Sequence, residues 1–110
     1  MAGYFECKPA SGGQFMFNLK AGNHEVILTS ELYTTKAACS GGIESVRKNA
    51  SVDTNFTRKI AKDGSHYFVL VAANHQIIGK SEMYSSAGAM EKGIASVKAN
   101  APSAIIKELC

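Results

Sequence analysis

The chain predicts an α+β fold: two tandem βββαβ repeats forming one antiparallel sheet, with two helices packed on one face and a pseudo-twofold relating the copies. The whole chain, 1–110, is expected to be a single domain, with repeat one over 3–53 and repeat two over 54–107. Three observations carry this. Residues 3–50 laid over 54–101 at a constant offset of 51, without gaps, give 20 identical pairs out of 48. Each copy runs through short apolar segments of period two before switching to a stripe of helical period. A unit of about fifty residues buries too little surface to be stable alone, and the junction Asn49-Ala50-Ser51-Val52-Asp53-Thr54 is too short to be a tether, so the copies must share a core.

The first strand is expected at Tyr4-Phe5-Glu6-Cys7-Lys8, ended by the turn Pro9-Ala10-Ser11-Gly12-Gly13. Gln14 to Lys20 then places Phe15, Phe17 and Leu19 on one face, which marks a second strand. After the turn Ala21-Gly22-Asn23-His24, the β-branched run Glu25 to Ser30 forms the third, giving an antiparallel meander. The helix starts from Thr34 or Thr35 as N-cap and carries Cys39, Ile43, Val46 and Ala50 on its apolar stripe. Asn49, tolerant of the left-handed conformation, is expected to cap its end, and Val52 with its neighbours to supply a short strand afterwards.

The second copy repeats the plan. Phe56-Thr57-Arg58 begins it, Asp63-Gly64 and Asn74-His75 are its turns, and Tyr67 to Val71 and Gln76 to Ser81 are its second and third strands. Ser85 or Ser86 caps a helix with Met90, Ile94, Val97 and Ala101 on its stripe, Pro102 stops it, and Ala104-Ile105-Ile106 forms a last strand. Each helix is expected to cover the face bearing Phe5, Phe17 and Leu19, or Phe56, Phe68 and Leu70, while the meanders join edge to edge.

The totals exclude several function classes. A composition 45% hydrophobic and 19% charged, with mean hydropathy of −0.05, is that of an ordinary globular domain. Neither a secretory signal nor a membrane-spanning segment is expected, and Cys7, Cys39 and Cys110, odd in number and widely spaced, read as free thiols of a cytoplasmic protein. A net charge of +3 with scattered basic residues does not by itself indicate nucleic-acid binding.

One set of pieces carries a family resemblance: Gly13-Gln14-Phe15, Asn23, Ser30-Glu31-Leu32-Tyr33 and Gly42-Ile43-Glu44-Ser45-Val46-Arg47-Lys48-Asn49-Ala50. The second copy answers with Gly64, Asn74, Ser81-Glu82-Met83-Tyr84 and Gly93-Ile94-Ala95-Ser96-Val97-Lys98-Ala99-Asn100-Ala101. This pattern resembles the YegP-like family of small bacterial proteins in its tandem-repeat form. The resemblance implies one continuous sheet with exchanged C-terminal strands, and no activity for any residue. The chain departs mildly from the repeat where His66 stands for Phe15 and Gly79 for Leu28.

No catalytic, cofactor or metal site emerges. Ser-Glu-x-Tyr contains groups able to do acid–base chemistry, but its recurrence suits a structural corner in which Tyr33 and Tyr84 pack and Ser and Glu bond backbone. His24 and His75 share a turn position and lack further ligands nearby, and His66 is alone in its copy. Gly12-Gly13 joins two strands and so lacks the helix N-terminus of a phosphate cradle. Gly42 and Gly93, mid-helix at a cost of about 1 kcal/mol each, suggest a close approach of helix to sheet.

The candidate interaction surface is the sheet face turned away from the helices, where alternation places Tyr67, Val69 and Val71 beside Lys8, Lys20 and Lys59. The leading expectation is a small non-enzymatic module that uses this face or a free sheet edge to bind a macromolecule or a second copy of itself. Nucleic-acid binding through Lys8, Lys20, Arg58 and Lys59 is the alternative. An enzyme at the repeat interface comes third and requires a pocket that joins Glu31 and Glu82.

Overall fold

The computed structural model describes residues 3–72 and 74–108. Among these residues seven strands and two helices follow one another as β1 (Tyr4–Pro9), β2 (Phe15–Lys20), β3 (Val26–Ser30), α1 (Lys36–Asn49), β4 (Phe56–Ile60), β5 (His66–Val71), β6 (Ile77–Lys80), α2 (Ala87–Asn100) and β7 (Ile105–Glu108). They form one sheet in the order β4-β5-β6-β3-β2-β1-β7. Both meanders are present, and they join through β3 and β6, where Thr29 pairs with Lys80 and Ser30 with Gly79. Thr29 and Lys80 are themselves equivalent across the 51-residue offset, so the pseudo-twofold passes through that pair.

The core lies between the sheet and the two helices. Phe5, Phe17, Leu19 and Leu28 of one copy and Phe56, Phe68 and Leu70 of the other are buried against Cys39, Ile43, Val46, Met90, Ile94 and Val97 of the helices. In each outer hairpin the rings meet edge on, Phe5 against Phe17 at 5.8 Å and Phe56 against Phe68 at 5.6 Å. A register shift between Leu19 and Lys20, matched between Leu70 and Val71, lets consecutive residues Ile27 and Leu28 both enter the core. Gly79 breaks the repeat for a steric reason. A Cβ there would lie 2.7 Å from Cγ of Leu28, so the space beside the pseudo-axis holds one leucine and not two.

The turns explain the histidines. Ala21 and Ala72 each open a hairpin turn in which His24 (φ 70°) or His75 (φ 68°) takes the left-handed position, and Gly64 (φ 86°) does so in the turn after Ala61. In all three an Asn or Asp carboxamide or carboxylate oxygen accepts from the backbone N–H two residues on, at 2.9 to 3.1 Å. For His24 and His75 the position demands a backbone conformation that glycine adopts more cheaply.

Three expectations are corrected. The sheet is mixed, because β7 pairs in parallel with β1 (Tyr4 with Ile105 through Cys7 with Glu108). No strand forms around Val52: a single 3₁₀ turn, Asp53–Asn55, leads directly into β4, so that the segment which would have paired beside β4 is spent in making it. Asn49 does not cap in the left-handed region. It stays helical, donates its side-chain N–H to the Ser45 carbonyl at 2.8 Å, and leaves the cap to Ala50 at φ −66°. The N-caps are Thr35 and Ser86, whose hydroxyls accept from Ala38 and Ala89 at 3.0 and 3.1 Å.

The thiols of Cys7 and Cys39 lie 3.4 Å apart in the core, one from β1 and one from α1. Cys110 lies outside the described residues. No helix among the described residues is long and apolar enough to cross a membrane.

Candidate interaction surface

The Ser-Glu-x-Tyr corner is a structural device, built twice. The Ser30 hydroxyl accepts from the Phe17 N–H at 2.9 Å and donates to the Glu31 carbonyl at 2.7 Å, and Ser81 does the same with Phe68 and Glu82 at 2.9 and 2.8 Å. The backbone of Tyr33 bridges that of Phe15, and Tyr84 that of His66, which pins strand end to helix start. Each tyrosine ring stacks on a core phenylalanine, Tyr33 on Phe17 at 6.2 Å and Tyr84 on Phe68 at 6.4 Å. The helix glycines admit these rings: a Cβ at Gly42 would lie 2.6 Å from Cζ of Tyr33, and one at Gly93 2.7 Å from Cζ of Tyr84.

Burial pushes the Tyr33 phenol above its ordinary value, aided by Cys39 and Glu31. Tyr84 rises for the same reason, aided by Glu82 and Glu25. Both are therefore neutral hydrogen-bond donors near neutral pH and not bases.

A shallow cleft of about 310 Å³ does join Glu31 and Glu82, across the pseudo-axis, with Thr29, Ser30, Lys80, Ser81 and Met83 as its other walls. The geometric minimum for a site at the repeat interface is thus met, but both carboxylates are exposed to solvent. A larger cleft of about 590 Å³ lies between α1, the Tyr33 corner and the β5–β6 turn bearing His75. Among the described residues no group of three or more His, Cys, Asp or Glu is placed to hold a metal.

The outer face of the sheet is more closed than alternation alone suggested. On the repeat-one side Tyr4 is only 8% exposed: its hydroxyl meets Nδ1 of His24 at 2.9 Å, and the Lys107 and Lys20 ammonium groups lie over its ring at 4.4 and 5.9 Å. Lys20 also pairs with Glu6 at 3.1 Å. On the repeat-two side Val69 is only 4% exposed, so it offers a partner almost nothing. Tyr67 and Val71 are half-buried, with the Lys80 ammonium 5.1 Å above the Tyr67 ring.

The basic residues are not brought together. Arg58 lies on the opposite, helix-side face, where its guanidinium grips Glu91 of α2 at 2.6 and 3.1 Å. Lys8 on β1 and Lys59 on β4 are five strand spacings apart in the sheet order, roughly 24 Å at the usual separation.

Composition and alternation did not single out β4 as an edge. It lies at the end of the sheet, with β5 as its only neighbour among the described residues. Beyond the buried Phe56, its residues Thr57, Arg58, Lys59 and Ile60 are all exposed, Ile60 by 68%. Its equivalent in repeat one, β1, is flanked on both sides because β7 covers it. Arg47 of α1 holds that covering strand, donating to the Ala104 carbonyl and stacking 5.6 Å over Phe5.

Fold and surface together define a two-repeat α+β module whose recurring residues build its corners and whose asymmetry lies at one sheet edge. Residues 10–56 and 61–108 each match the family model described as a domain of unknown function (DUF1508), and the chain belongs to that family. It is 60% identical to a UPF0339 protein of Bordetella pertussis (98% of this chain, 96% of the relative) and 55% identical to the UPF0339 protein YegP of Escherichia coli K12 (98% of each). The solution NMR structure of yegP from E. coli, described as a protein of unknown function, superposes with a TM-score of 0.94 at 54% identity, covering 99% of this chain and 94% of that one. That of a UPF0339 protein from Shewanella oneidensis gives 0.93 at 51%, covering 99% and 92%. The family is uncharacterised, and these names assign no function.

Proposed function

We propose that the chain is a non-enzymatic cytoplasmic binding module that takes up an extended polypeptide segment along β4. The observation that carries this is the contrast between β1, completed by β7, and β4, which ends the sheet with exposed residues. An edge strand presents the N–H and C=O groups of alternate residues for pairing, and strand addition is a common way to bind peptides. The near-closure of the outer face around Tyr4 and Val69 supports the edge over the face as the contact surface.

A second copy is a poor occupant. Antiparallel pairing of β4 with its own counterpart sets Lys59 close to the same residue of the other chain, and like charges across strands are destabilising. The test is selection from a displayed random-peptide library, followed by mapping on isotope-labelled protein. Selected peptides should perturb Phe56 to Ile60, give interstrand contacts there, and lose binding when alternate backbone amides are methylated. Selected peptides that map only to the outer face or to the clefts overturn the proposal.

A further inference from the structure

Resting on that edge-binding reading, we infer that β4 selects an acidic segment of alternating pattern, with carboxylates on the outer face and apolar residues toward the helices, added parallel to β4. The template is the chain's own β7. In the β1–β7 register Ile106 stands beside Phe5 on the helix side, and Lys107 stands beside Glu6 on the outer side. At these two positions the added strand supplies an apolar residue inward and a charge opposite in sign to its neighbour outward, while Ile105, beside Tyr4, adds an apolar residue on the outer side.

The β7 register spans Tyr4 to Cys7, which correspond to Asn55 to Arg58, and at β4 the demand continues past that span to Lys59 and Ile60. Facing the helices are Phe56, which is buried, Arg58, which is engaged by Glu91, and Ile60, which is apolar and largely exposed. An apolar side chain beside Ile60 removes that surface from water. On the outer side are Thr57 and the exposed Lys59, where β1 has Glu6 and Lys8. The outward residue complementary to Lys59 is a carboxylate, and the strand itself, Phe-Thr-Arg-Lys-Ile, contains no acid to compete for it.

Orientation follows from the helices. β1 begins beside the end of α2, where the Gly3 N–H donates to the Asn100 side chain at 2.9 Å, and β7 starts from that same helix end, which makes the pair parallel. β4 begins in the equivalent place at the end of α1, where the Asn55 side chain donates to the Asn49 carbonyl at 3.2 Å. A segment following the β7 template enters at that end.

The experiment uses the full chain, isotope-labelled, titrated with a blocked peptide of alternating glutamate and valine and with its lysine–valine counterpart, at low and high salt. The expected result is shifts and slowed amide exchange confined to Thr57 to Ile60 with the glutamate peptide. Its affinity should be roughly tenfold higher than that of the lysine peptide, weakened by salt, and lowered or reversed by the surface substitution Lys59→Glu. A nitroxide on the peptide N-terminus should broaden Phe56 and Thr57, and one on its C-terminus Lys59 and Ile60. Equal binding of both peptides at β4 overturns the acidic selection and leaves strand addition standing, whereas no perturbation of β4 by either peptide overturns both. Broadening in the reverse order overturns the parallel assignment. Shifts of β4 on simple dilution, or stronger ones with a single-stranded oligonucleotide, replace the peptide by a second copy or by nucleic acid.

Discussion

Replacing Gly42 by alanine sets two effects of opposite sign against each other at one position. In a helix interior the change gains about 1 kcal/mol of propensity. Here the new methyl enters space held by Tyr33 and Phe17, 2.6 Å from the tyrosine Cζ and 3.0 Å from Cε2 of Phe17, and closer still to the hydroxyl. Tyr33 cannot simply swing away, because its backbone bridges Phe15 and its ring is stacked on Phe17. Overpacking of this kind costs about 1–3 kcal/mol, and because it must displace an anchored ring the upper part of that range applies. The net expectation is a loss of about 1–2 kcal/mol. Gly41 provides the internal control, since a Cβ there meets nothing within 4 Å, and Gly41→Ala should gain up to about 1 kcal/mol. Urea unfolding followed by far-ultraviolet circular dichroism separates the two, with a difference of about 2–3 kcal/mol between the variants. If Gly42→Ala is as stable as Gly41→Ala, the tyrosine does not seat against the helix and the account of the corner is wrong.

Three further outcomes are expected. His75→Gly should stabilise the fold by about 0.5–1 kcal/mol in thermal or urea unfolding, by relieving a left-handed residue, whereas His24→Gly should gain less because it also removes the Tyr4 contact; equal gains would refute a role for that contact. Ser81→Ala leaves the buried Phe68 N–H without its acceptor and should cost about 1–3 kcal/mol, with faster exchange of that amide; an unchanged exchange rate contradicts the bond. The phenols of Tyr33 and Tyr84, raised above the ordinary 10.0 by burial, favour the protonated fold, so their contribution is complete below pH 10 and is lost as pH rises through the folded values; the double substitution Tyr33→Phe/Tyr84→Phe should flatten the decline measured by unfolding in the alkaline range.

How much of this was legible in the sequence depends on whether a feature is local. Apolar alternation through Phe15, Phe17 and Leu19, the Asp63-Gly64 turn and the helical stripe from Cys39 to Val46 are set by near neighbours, and all appear where the pattern puts them. The inward pairing of Ile27 with Leu28 defeats a strict period of two, because a bulge inserts one residue. The inward placement of Arg58 is legible in the alternation, since it shares the parity of Phe56, which faces the helices, and so does not stand beside Lys59. The contact of Cys7 with Cys39 joins strand to helix across 32 residues, and nothing in the spacing of the cysteines announces it. Nor does the apolar character of Ala104-Ile105-Ile106 say which edge it will seek or in which direction.

That last choice accounts for the asymmetry of the molecule. In each copy the chain leaves a helix at the place where the other copy's first strand begins. After α2 the chain is at liberty to lie beside β1, and Ala104, buried in the core, with Arg47 on its carbonyl, fixes it there. After α1 the same stretch is already committed, since Phe56 must enter the core as the first strand of repeat two. One segment cannot both form β4 and lie alongside it. Joining two units into a single chain therefore completes one end of the sheet and leaves the other open, even though the two sequences run in parallel. The substitutions at that end follow the same logic: where β1 has Cys7, the last residue paired with its covering strand, and then Pro9, β4 has Arg58 and Ile60, the first answered by Glu91 and the second left in solvent. The charge of Lys59 disfavours pairing of the open edge with its own copy, and the exposed Ile60 beside it is the apolar surface an incoming strand would cover.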